Sequence, residues 1–130
     1  MVRVPRSLST LIVIALLPIP GSALASPALD SLLARHPADS LVAPLRRFES
    51  EHGHVSEGGE AALLLGQLHY ARGEYRQAAD AFARAAARLQ PARKPEARYW
   101  AGLSWIALKD PQQARASLEE VVSSGSERAR

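Results

Sequence analysis

Residues 62–82 read ALLLGQLHYARGEYRQAADAF, and residues 98–118 read RYWAGLSWIALKDPQQARASL. Aligned with each other, the two stretches share a spacing. Gly66, Ala78 and Phe82 lie 12 and then 4 residues apart, and Gly102, Ala114 and Leu118 repeat that 12 and 4 at a displacement of 36. Each set straddles a short polar turn, Ala71 to Tyr75 in the first stretch and Leu108 to Pro111 in the second. Two helices that cross closely need a small residue on each contact face. The pattern therefore predicts Gly66 against Ala78 and Gly102 against Ala114, with Phe82 or Leu118 filling the groove one turn later. The unit is a helix–turn–helix present twice.

Helical punctuation continues on both sides of this pair. Ala78, Phe82, Ala85 and Leu89 fall at spacings of 4, 3 and 4, one stripe of a helix over 74–89. A helix over 58–71 stops at Gly73. Pro95 suits the first turn of a helix running to about Leu108, and Asp110-Pro111 caps a last helix that is expected to end near Val122, before residues 123–126 (Ser-Ser-Gly-Ser). Upstream, Leu29, Leu32 and Leu33 predict a short helix ending before His36-Pro37. Asp39 or Ser40 is expected to cap a second, through Leu41, Leu45 and Phe48 to Gly53, with Pro44 in its first turn. From residue 26 on there is no alternating β-branched run and no Asn-Gly or Asp-Gly hairpin turn. The fold class is all-α, in antiparallel hairpins.

Composition agrees. Of the 130 residues 47% are hydrophobic but only 5% aromatic, an alanine- and leucine-led content that favours helix over sheet. There is no cysteine, which removes disulfides, thiolate metal sites and a lipidated N-terminal cysteine. Residues 1–25 have the three parts of an export signal: Arg3 and Arg6, the apolar run Leu8 to Leu17, and Pro18, Pro20 and Gly21 ahead of Ser22-Ala23-Leu24-Ala25. The small residues at 23 and 25 place cleavage after Ala25. The run is half the length of a membrane-spanning helix of about 20 residues. The expected home is periplasmic or secreted, with membrane contact only during export. Without Arg3 and Arg6, 14 basic residues face 13 acidic ones, so the pI near 9.8 is no argument for nucleic acid.

With Leu-Gly in the first helix and Ala and Phe in the second, the chain resembles the tetratricopeptide (TPR) family, whose repeat is a 34-residue helical hairpin. The first copy, 58–93, matches at Leu65, Gly66, Ala78 and Phe82, with Pro91 one position late; it departs at Ala62 and His69. The second, 94–126, matches at Gly102, Trp105 and Ala114 and departs at Ala101, Leu118 and Ser126, leaving 127–130 as a tail. Phe48 lies 34 before Phe82, so 26–57 holds N-terminal helices with a degraded half-repeat as one reading, against which Pro44 stands where a small Ala belongs. The stretch 97–103 resembles the exported cell-envelope type, of the periplasmic Tol–Pal-associated coordinator group.

The resemblance implies a non-catalytic interaction module whose concave face is lined by the first helix of each pair. On that register the face shows Leu63, Gln67 and Tyr70, then Tyr99, Leu103 and Ile106. It lacks the Lys, Arg and Asn with which some members clamp a C-terminal carboxylate, so it suits an apolar helix or extended segment of a protein partner, or a second copy. Each Leu or Tyr contributes about 1.5–3 kcal/mol when buried, so such a face would not stay wet. Its cover is either the chain's own N-terminal helices or something in trans.

Other chemistry is thinly represented. His52, His54 and Glu57 form His-x-His-x-x-Glu, two imidazoles and one carboxylate where zinc wants three or four convergent ligands. Arg84, Arg88 and Arg93 make an arginine-rich face open to glycan contact. No Gly-x-Ser-x-Gly elbow or phosphate-cradling glycine loop occurs, and Glu119-Glu120 point in different directions on a helix. No cofactor is expected, and no enzyme activity.

Overall fold

In a computed structural model the residues described are 26–128, and all their regular structure is helical. Six α-helices follow in order: α1 Pro27–Arg35, α2 Val42–Glu51, α3 Ser56–Ala71, α4 Tyr75–Arg88, α5 Lys94–Ala107 and α6 Pro111–Arg128, with single 3₁₀ turns at Ala38–Ser40 and Pro91–Arg93. They pair as α1/α2, α3/α4 and α5/α6. The expected leader, residues 1–25 with cleavage after Ala25, lies outside the described residues.

Each boundary has a local cause. The Ser26 hydroxyl accepts from Leu29 N at 3.2 Å and Pro27 opens α1, while His36 is extended because Pro37 follows it. α2 starts later than Asp39 or Ser40 would have it: those two lie in the 3₁₀ turn, and Leu41 precedes the helix without a side-chain cap. Pro44 sits in the first turn of α2, where its missing N–H has no helical partner to lose. Asp110 Oδ1 accepts from Gln113 N at 3.2 Å at the head of α6, as its sequence predicts.

The two turns inside the repeats are the same structure. After α3, Glu74 N donates to His69 O at 2.9 Å and Gly73 N to Tyr70 O at 3.0 Å; after α5, Asp110 N donates to Trp105 O and Lys109 N to Ile106 O, both at 2.9 Å. Both are Schellman closures, which need one residue at positive φ. Gly73 supplies it at φ 79, and Lys109, 36 residues on, at φ 61. The repeat is thus visible in the backbone as well as in the side chains.

α6 runs past Val122 and through 123–126 to Arg128. The hydroxyls of Ser123 and Ser124 fold back on the carbonyls of Glu119 and Glu120, at 2.9 and 2.8 Å, so they do not compete for backbone outside the helix.

Two core clusters stitch neighbouring hairpins. Leu29, Leu41, Leu45 and Phe48 of the N-terminal pair pack with Ala61, Leu65 and Leu68 of α3 and Ala81 of α4. Leu63 of α3 and Ala78, Phe82, Ala85 and Ala86 of α4 pack with Ala97 and Ala101 of α5, with Tyr70 and Trp100 at the margin. α3 is therefore buried nearly all round, which explains its run of Ala, Leu and Gly.

The notches differ in detail from the sequence expectation. A Cβ on Gly66 would lie 2.5–2.9 Å from the Phe82 ring, and one on Gly102 2.7–2.8 Å from the Leu118 side chain. Each glycine thus makes room for the bulky residue itself, where the spacing predicts Ala78 and Ala114 opposite them. Ala78 and Ala114 are both buried nearby.

Candidate functional site

The candidate face is the side formed by α3 and α5, the first helices of the two registered hairpins, which touch each other directly. Leu63, Gln67 and Tyr70 follow at i, i+4 and i+7 on α3, and Tyr99, Leu103 and Ile106 do so on α5. Each triplet makes one stripe. The stripes are unequally exposed. Leu63 is 3% exposed, a member of the core between the hairpins and unable to touch a partner. Gln67, Tyr70 and Leu103 are half-buried. Tyr99 and Ile106 are 49% and 54% exposed.

Tyr70 is held by its neighbours. Its ring meets Tyr75 edge-on at 5.1 Å and Trp100 edge-on at 5.5 Å, and Trp100 in turn stacks on Phe82 at 5.7 Å. The face therefore has one braced aromatic, Tyr70, on α3 and an aliphatic and phenolic row on α5. The N-terminal helices do not cover that row. They contact Ala61, Leu65 and Leu68, on another side of α3.

An ion cluster marks one end of this side. Arg93, in the link between repeats, donates to Glu60 of α3 and, at 2.8 Å, to Glu96 of α5. Burial holds the Glu60 carboxyl above the usual carboxylate range, although Arg93 donates to it. Partial burial works against the Arg93 charge, but its bonds to the two carboxylates together outweigh that cost and keep it protonated. The helical periodicity does not mark this cluster, whose partners Glu60 and Arg93 lie 33 residues apart, nor the role of Trp100.

The arginine-rich face is tied into ion pairs, with Arg84 and Arg88 still partly exposed. Arg84 forks onto Glu49 through Nε at 2.7 Å and Nη2 at 3.2 Å, and Arg88 Nη1 reaches the same carboxylate at 2.7 Å. Glu49 is buried on α2, so both arginines tie the N-terminal hairpin to α4. With Arg93 bound to Glu60 and Glu96, all three guanidinium groups expected to be open to glycan are engaged.

The histidines are dispersed as well. His52 stacks on Phe48 at 3.9 Å, and its Nδ1 donates to the Phe48 carbonyl at 2.9 Å. Glu57 accepts from the Ser26 hydroxyl at 3.1 Å, and His54 is exposed. His69 is buried and donates to Glu74 at 3.2 Å across the α3–α4 turn. Among the described residues no three His, Cys, Asp or Glu side chains come together as a metal site. Nor is any described helix long and apolar enough to cross a membrane.

Comparison with known proteins adds one match. The family described as anaphase-promoting complex, cyclosome, subunit 3, a family of TPR-like repeats, matches residues 50–121, more than half of the chain. Neither a curated protein nor a solved structure matches it. The matched span contains all of α3, α4 and α5 and most of α6, including both glycine notches and both Schellman turns. The description's complex is that of other members; what passes to this chain is the repeat and the interaction role general to it. By this match, and by hairpins whose turns and notches recur 36 residues apart, the chain belongs to this family of TPR-like repeat proteins.

Proposed function

We propose that the chain is a non-catalytic docking module of the bacterial periplasm or cell envelope, exported by residues 1–25 and cleaved after Ala25. Its partner is a protein, taken as an apolar helix or extended segment along the α3–α5 side. One observation carries the docking reading. The row Tyr99, Leu103 and Ile106 is apolar and solvent-accessible, on the helix that also carries Trp100, whose ring meets Tyr70 edge-on. A rigid aromatic neighbour lowers the entropic cost of ordering a contact, and such residues dominate interface energetics. Cleavage after Ala25 is compatible with the fold, since Ser26, which caps α1 and donates to Glu57, stays with the mature chain.

Affinity recovery from a periplasmic extract tests the reading, with Tyr99→Ala and Ile106→Ala as the informative variants because both side chains are about half exposed. The expected result is a discrete partner, recovered with the parent chain and lost with both variants. Equal recovery with all three would move binding off this side. The mass of the exported chain tests the leader: a product starting at Ser26 is expected, and retention of the leader would refute cleavage.

A further inference from the structure

The N-terminal hairpin departs from the repeat at the place where the other two hairpins close. At the 34-residue displacement that relates Phe48 to Phe82, Leu32 stands where the repeat has Gly66, and Pro44 where it has Ala78. In the two registered hairpins the glycine lets Phe82 or Leu118 press directly on the first helix. A leucine and a proline ring at those positions hold α1 and α2 apart. Between them opens a cleft of about 650 Å³, lined by Leu32, Pro44 and Phe48 themselves. That volume lies within the range of about 300–1,000 Å³ typical of small-molecule sites. Charge is laid out unevenly along the cleft. Arg35 and His36 close α1 where Ala43 and Pro44 open α2, Arg47 follows one turn on, and Glu51 lines the opposite end with Ala28. Arg84, Arg88, Arg93 and Arg98 all meet carboxylates. Among the described residues Arg35 and Arg47 meet none, and both are exposed. The lining thus sets two uncommitted guanidinium groups against one carboxylate, over an apolar floor.

We propose that the α1–α2 cleft binds a small organic monocarboxylate with an apolar body. The carboxylate sits between Arg35 and Arg47, whose forked donors match its two oxygens. The body lies over Leu32, Pro44 and Phe48, toward Ala28. Glu51 at the far end repels a second anionic group there, which selects ligands with one charged end. Size favours a small molecule over a protein segment. From Ala28 to Arg35 the cleft follows seven steps of helix, about 10 Å at 1.5 Å per residue. Between helix axes about 10 Å apart, that strip presents about 100 Å². A stable protein interface takes about 800 Å² from each partner. The cleft belongs to the N-terminal hairpin, so the proposal goes beyond the docking reading and stands without it.

The probe is octanoate, titrated calorimetrically into the full chain. One saturable site is expected. Acetate, which lacks the body, and octanol, which lacks the charge, should each bind at least about tenfold more weakly. Arg35→Gln and Arg47→Gln should each lose about fivefold. Arg46→Gln removes the same charge from α2 outside the lining, and should change affinity less than about twofold. Ala43→Phe puts a ring into the cleft from an exposed position and should abolish binding. Circular dichroism confirms that each variant folds. Absence of saturable binding overturns the proposal, as does acetate or octanol binding as tightly as octanoate. Equal losses in Arg46→Gln and Arg47→Gln would reduce the effect to net charge, and also overturn it. A capped glutamate pentapeptide that outcompetes octanoate would assign the cleft to acidic protein segments, against the proposal.

Discussion

Replacing each notch glycine by alanine adds the same methyl group twice, yet the two substitutions should differ in effect. At Gly66 a new Cβ would lie 2.5–2.9 Å from three atoms of the Phe82 ring. That ring is fully buried and stacked on Trp100 at 5.7 Å, so it has nowhere to go. Overpacking of this kind costs about 3 kcal/mol at the upper end of its usual range. Alanine in a helix interior returns about 1 kcal/mol relative to glycine. The net for Gly66→Ala is a loss of about 2 kcal/mol, or about 10 °C in Tm for a domain near 100 residues. At Gly102 the clash, 2.7–2.8 Å, is with Leu118, a half-buried and flexible side chain on the last helix. There the cost is about 1 kcal/mol, the propensity gain offsets it, and Gly102→Ala should be neutral within about 0.5 kcal/mol. Urea unfolding followed at 222 nm reads both, with m unchanged. Adding Phe82→Leu to Gly66→Ala should recover part of the loss, a coupling of about 1 kcal/mol in a double-mutant cycle. A stabilising Gly66→Ala, or equal effects at the two glycines, would refute the close-approach reasoning.

Other perturbations follow from the same structure. Lys109 holds φ 61 where Gly73 holds φ 79, so Lys109→Gly should stabilise by about 0.5–1 kcal/mol in thermal unfolding, while Gly73→Ala should destabilise by about 1 kcal/mol. Glu49→Ala leaves Arg84 and Arg88 partly exposed and able to rehydrate, so its cost should be about 1–2 kcal/mol by urea midpoint, below that of breaking a fully buried pair. Glu60 has its carboxyl raised in the folded state, so the fold binds more protons than the unfolded chain between the two values. Stability should therefore fall as pH rises through that window, and Glu60→Gln should remove that component from a pH series of urea midpoints.

The hairpins were legible because they rest on local physics. Proline at a helix start, Asp110 as a cap, and Gly66 or Phe82 at fixed spacing all report on neighbours in the chain. Lys109 hid the second Schellman turn, since positive φ is written in the sequence only when glycine provides it. The serines of 123–126 read as a break because their competition for backbone depends on where the hydroxyl turns. The polar ties between hairpins escaped notice altogether: Glu49–Arg84, Glu60–Arg93 and Arg72 to the Asp39 carbonyl span 35, 33 and 33 residues. A signal existed. In a stacked array, residues about one repeat apart lie side by side, so opposite charges at that separation are the pairs to look for. Leu63 could not be placed from its stripe alone, because the same stripe is core in one repeat and open in the next.

The central claim is that the open row on α5 is where a protein docks. A photo-crosslinking residue placed at Leu103, in cells producing the chain, tests it most directly, with the exposed Ala116 of α6 as the reference position. The account predicts a discrete protein adduct from position 103 that disappears when Tyr99→Ala is added, and none from 116. Adducts of equal yield from both positions, or an adduct from 103 indifferent to Tyr99, would contradict it.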